Sequence, residues 1–159
     1  MRTAKNLKAA LVIVAALTLY LPLQAEVKVA LTASKITKVD GTEKKEPGDK
    51  AKPGDVIEYV AEYKNSDKKP VQDVVATLPV PAGMEYVPST AEPGQLMAST
   101  SDGKYAPAPL KRAVRGADGK VTQELVPYSE YRSLRWNLGV MAGGTSKTVR
   151  ARMKVKAQQ

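Results

Sequence analysis

Two groups of side chains in this chain could do chemistry at a surface: the cations Arg150, Arg152, Lys154 and Lys156 at alternate positions near its end, and the tyrosines Tyr105, Tyr128 and Tyr131. Successive side chains of an extended strand point to opposite sides, so the alternation places all four cations on one face. Such a row can grip an anionic surface. On an edge strand it also discourages pairing with a foreign chain, and that use is favoured here. The same edge could instead accept a partner's strand through its backbone. The tyrosines lie beside Pro107, Pro109 and Pro127. They could form an exposed aromatic patch, but packing within loops is the default reading, since exposed aromatics mark binding only when they cluster. These seven residues are the candidate interaction residues.

Catalysis finds little to work with. The 159 residues contain no cysteine and no histidine. Disulfides, thiolate or imidazole metal sites, cysteine nucleophiles and Ser-His-Asp triads are thereby excluded. Asp40, Asp49, Asp55, Asp102 and Asp118 sit singly in turn-like contexts. Calcium needs several oxygen ligands converging at fixed spacing, so these are read as turn residues. No Ser-x-x-Lys stands at a helix start, which removes the usual Ser-Lys hydrolase arrangement. A Lys-Asn crosslink of the kind found in some surface sandwiches would need Asn65 or Asn137 buried beside a lysine and a carboxylate, a geometry the sequence does not establish. The expectation is a non-catalytic chain with no catalytic, cofactor-binding or metal-binding residue and no cofactor.

Met1 to Ala25 reads as a secretory signal peptide: Arg2, Lys5 and Lys8, an apolar run from Ala9 to Tyr20, and a cleavage boundary at Leu23-Gln24-Ala25. The run is short for a bilayer span, and Pro22 interrupts it. The mature chain is expected to be residues 26–159, periplasmic or secreted, with no stable membrane span, no lipid-modified cysteine and no sorting tail at its C-terminus. Loss of Arg2, Lys5 and Lys8 lowers the formal charge of +9 by three, to +6. Outside the cytoplasm such a surplus can favour lipopolysaccharide, acidic glycans, membrane headgroups or stray nucleic acid, but most basic secreted domains are simply soluble and basic, and no nucleic-acid partner is expected. The mature length suits one domain that buries about two-thirds of its unfolded surface without needing a staple.

The elements that must position these residues are strands. No stretch after Glu26 sustains a helical period, whereas short alternating segments recur between Pro, Gly, Asp and Lys clusters. Val27, Val29 and Leu31 alternate with Lys28, Ala30 and Thr32 as a first strand. Asp40-Gly41 and Glu43 to Pro53 follow as a charged, turn-rich connection. Within it Pro47-Gly48 and Pro53-Gly54 are both candidates for type II turns, Pro fixing one central φ and Gly accepting the positive φ of the next. Ile57, Tyr59, Ala61 and Tyr63 share one face of a second strand. Val71 to Leu78, with Val74 and Val75 adjacent, reads as a strand covered on both sides. Asp102-Gly103 and Asp118-Gly119 are hairpin candidates. Trp136, between Leu134 and Leu138, reads as core, and Val149, Ala151, Met153 and Val155 back the cation row. The sum is an all-β immunoglobulin-like antiparallel sandwich of about seven strands.

The run Lys52-Pro53-Gly54-Asp55, Tyr59, Asn65, Pro81-Ala82-Gly83-Met84-Glu85-Tyr86-Val87, Leu134-Arg135-Trp136-Asn137-Leu138-Gly139 and Ala142-Gly143-Gly144 resembles a DUF11-type repeat domain over nearly all of Glu26 to Lys156. The resemblance implies an immunoglobulin-like module of bacterial surface or exported proteins, without catalytic residues and usually in tandem. Here there is one copy, and Leu78 stands where such domains often place an Asp before the Pro-x-Pro stretch. The implied role is a structural or protein-interaction module of the envelope, the alternative being a binder of anionic surface polymers through the basic strand.

Overall fold

A computed structural model describes residues 27–157; the expected leader Met1 to Ala25 lies outside them. Among the described residues eleven strands form: β1 (Val27–Val39), β2 (Thr42–Pro47), β3 (Val56–Asn65), β4 (Val71–Pro79), β5 (Met84–Tyr86), β6 (Met97–Ser99), β7 (Ala106–Pro107), β8 (Lys111–Arg115), β9 (Val121–Leu125), β10 (Ser133–Met141) and β11 (Ser146–Val155). Nine of them build two antiparallel sheets, one in the order β2-β1-β3-β11-β5 and the other β4-β10-β6-β7, while β8 and β9 make a separate hairpin. The expected sandwich is present. Its strand number exceeds the expected seven because short paired segments such as β2, β6 and β7 carry no apolar alternation of their own.

The core lies between the two sheets. Ala61 and Tyr63 of β3 and Val149, Ala151 and Met153 of β11 meet Val74, Ala76 and Leu78 of β4 and Leu134, Trp136 and Met141 of β10. Trp136 is buried as expected, and its indole Nε1 donates to the Pro93 carbonyl at 2.8 Å. Satisfying that one polar atom lets the largest side chain in the domain contribute its apolar area.

Several turns behave as the sequence predicts. The Asp55 N–H donates to the Lys52 carbonyl at 3.0 Å, with Gly54 at φ 90°, so Pro53-Gly54 is a type II turn. Its Gly54 N–H reaches the Val155 carbonyl at 2.8 Å and docks the turn on the last strand. Asp118-Gly119 closes the β8–β9 hairpin, in which Arg115 faces Val121.

Three local expectations are corrected. Thr42–Pro47, placed in the connection, is a strand: Asp40 and Gly41 both take positive φ, and the resulting tight turn pairs Val39 with Thr42. All six of its residues are exposed, which is why no burial pattern marks it. Pro47-Gly48 is not a second type II turn, since Gly48 opens a 3-10 turn (Gly48–Lys50) packed on the Ala33 carbonyl. The strand at Val71 to Leu78 is not covered on both sides. It is the edge of its sheet, and Asp73 at φ 51° offsets the alternation so that Val74 turns inward while Val75 is 48% exposed.

Candidate interaction surface

β11 is an interior strand, flanked by β3 and β5, so the cation row cannot act as an edge guard or as a site of strand addition. The pairing order of the sheet, which alternation does not encode, is the physical reason for this correction. Two of the four cations are neutralised by acids from other parts of the chain. The guanidinium of Arg152 forks onto Glu43 of β2 at 2.8 and 2.9 Å and reaches Glu58 of β3 at 3.2 Å, while Lys45 also contacts Glu58. Arg150 pairs with Glu92 by side chain and by two backbone hydrogen bonds of 2.8 Å. Burial works to raise the pKa of Glu58, but Lys45 and Arg152 outweigh it and hold the carboxyl below its ordinary value. Hydrogen bonding to Arg152 likewise depresses Glu43. Lys154 stands opposite Glu85 across the β11–β5 ladder, and the backbone N–H of Lys156 donates to the Gly83 carbonyl. Lys111, Arg112 and Arg115 belong to the separate hairpin, where Arg112 pairs with Glu130 at 3.0 Å.

The three tyrosines do not form an exposed patch. Tyr131 is fully buried, and its hydroxyl accepts a hydrogen bond from the Leu110 N–H at 2.7 Å. It stacks on Tyr86 at 6.0 Å and meets Tyr128 edge to face at 5.2 Å. Burial pushes the phenols of Tyr86 and Tyr131 up in pKa. Tyr105 stands apart, hydrogen-bonded to Ser133 at 2.8 Å beneath the guanidinium of Arg135, which lies 3.4 Å from the ring centre. Packing, the default reading, therefore holds for Tyr128 and Tyr131 against the candidate interaction role, because the 3-10 turn Tyr128–Glu130 swings Tyr131 into the sandwich as a plug. Tyr86, the third member of that cluster, lies more than forty residues upstream of Tyr128 and carries no local signal of the contact.

Asn65 is buried, and the structure gives it a clamping role. Its amide nitrogen donates to the carbonyls of Lys69, Met141 and Ala142 at 2.8, 3.0 and 3.2 Å, and its side-chain oxygen accepts from the Asp67 N–H. Two connections, β3 to β4 and β10 to β11, are thereby fastened across the end of the sandwich. Asn137 is exposed and its side-chain oxygen accepts from the Gly139 N–H. With the nitrogen of Asn65 engaged by three carbonyls and Asn137 in solvent, neither has the surroundings a Lys-Asn crosslink requires.

The open edge has a different address. β2 pairs with β1 only from Ser34 to Val39 and Gly48 covers the Ala33 carbonyl, so among the described residues the outer backbone edge of β1 is without a partner from Val27 to Thr32. On the core-facing side of this stretch the second sheet does not reach far enough. Val29 and Leu31, in register with the buried Tyr63 and Ala61, are each 55% exposed. The stretch contains no proline, one charge (Lys28) and no bulge against β3. An unpaired, flat, apolar edge of this kind is a ready template for another strand. Sequence reasoning placed the open edge on β11, whereas the unpaired backbone belongs to β1.

Comparison with family models, with curated proteins and with solved structures finds no match to this chain.

Proposed function

We propose that the chain is a non-catalytic module of the bacterial envelope, exported behind its leader, that acts by protein–protein contact through a sheet edge. The observation that carries this is the bare backbone of Val27 to Thr32, with Val29 and Leu31 half in solvent beside it. Backbone hydrogen bonds would supply affinity there and the alternate side chains would supply selectivity. The DUF11-type resemblance accords with such a role, because its motifs serve as turns and clamps: Pro53-Gly54 docks on Val155, and Asn65 fastens the Met141 loop. Retention of anionic polymer by the basic strand is the weaker reading, since Arg150 and Arg152 already face Glu92, Glu43 and Glu58.

The test is a pull-down of C-terminally tagged mature protein from envelope extract, washed at low and at high salt, beside the Leu31→Lys variant. A defined protein that survives high salt and is lost in the variant is the expected result. Anionic lipid or glycan released by salt from both proteins would overturn the reading, because ion-driven binding weakens as counterions compete.

A further inference from the structure

We propose that the open edge of β1 pairs with the same edge of a second copy of this chain, antiparallel, about a two-fold axis passing through Ala30. The inference rests on the interaction-module reading and names the partner at that site.

The open stretch is complementary to itself. Centred on Ala30, the pairing sets Lys28 against Thr32 of the other copy and Val29 against Leu31, with Ala30 facing its own equivalent. No like charges oppose one another, and the single cation of the stretch faces a threonine. Residues of one parity share a face, so Val29 and Leu31 of both copies form one apolar strip on the side that the second sheet leaves open. The length also fits. Beyond Thr32 the edge is taken, since Gly48 lies over the Ala33 carbonyl and Pro47 of β2 stands opposite Ser34. This register pairs Lys28 to Thr32 of both copies and stops where Gly48 begins.

The other long edges are guarded against the same event. β2 presents Glu43, Lys44, Lys45 and Glu46, and β4 carries the positive-φ Asp73 and ends in Pro79. The edge of β1 is the flat one. Pairing there is isologous and joins two five-stranded sheets into one.

The chain has no native cysteine, so Ala30→Cys introduces its only thiol. Oxidised under mild conditions, the mature variant is expected to run as a covalent dimer on non-reducing gels, while Ala117→Cys in the exposed β8–β9 turn is not. By sedimentation the unmodified protein is expected to be a dimer and Leu31→Lys a monomer, with unchanged circular dichroism and a melting temperature that, unlike that of the unmodified protein, does not rise with concentration. A monomeric unmodified protein, or Ala30→Cys no more crosslinked than Ala117→Cys, overturns the self-pairing. If that happens while Leu31→Lys still abolishes capture of an envelope protein, the edge serves another partner and the interaction-module reading stands. If the substitution changes neither assembly nor capture, both fail.

Discussion

Asn65 and Gly143 meet at one crossing and show how much the fold can depend on two small groups. Replacing Asn65 with Ala strands the Lys69 and Met141 carbonyls at a place from which water is excluded. The expected loss is about 1–3 kcal/mol, read from thermal or denaturant unfolding. A β-carbon on Gly143 would lie 2.2 Å from the Lys68 carbonyl oxygen, a backbone atom that cannot rotate away. Gly143→Ala should therefore force the two connections apart and cost about 3 kcal/mol by the same measurement. Glu58 sets a pH limit. Its carboxyl and that of Glu43 titrate below the ordinary glutamate value of 4.5, so folding favours their ionised forms. Their contribution is complete above that value and disappears as pH falls through the depressed ones. Melting temperature followed from pH 7 downward should fall in that acid range, and Glu58→Gln should flatten the acid limb while lowering stability at neutral pH.

Among the elements, those with a buried face were legible and those without one were not. Alternation located β3, β10 and β11, and turn chemistry located the β8–β9 hairpin, because each leaves a mark within a few residues. β2 leaves none, since all of it is exposed and it is held by register with Ser34 to Val39. The candidate site divides in the same way. The shared face of Arg150 and Arg152 followed from period two, but Glu43 and Glu58 are brought to Arg152 only by the order of strands in the sheet, and Glu92 to Arg150 by an isolated bridge from a connection. That same strand order moved the open edge from β11 to β1. The hairpin offers a test at this scale. It is tied to the body chiefly at its base, where the Val126 N–H donates to the Leu110 carbonyl and Arg112 meets Glu130. Val121 and Leu125 stay 57% and 61% exposed. Two-stranded ribbons are marginal alone, so hydrogen exchange should run fastest in β8 and β9 and slowest in β3 and β11.

At the scale of the whole molecule, the central position of β3 has a mechanical consequence. β1 and β11 both run antiparallel to β3, one on each side, and are therefore parallel to each other. Val27 sits at the Asn65 end of β3, whereas Val155 sits at the other end, where its N–H donates to the Asp55 carbonyl at 2.9 Å. Tension applied between residues 27 and 155 would slide β1 and β11 in opposite directions along β3. The hydrogen bonds of both ladders would then resist together as shear instead of parting one at a time like a zipper. Single-molecule pulling between these two positions should require a clearly higher rupture force than pulling between residues 111 and 125, where the hairpin peels open rung by rung. A domain drawn along this axis is built as a tether that holds under tension.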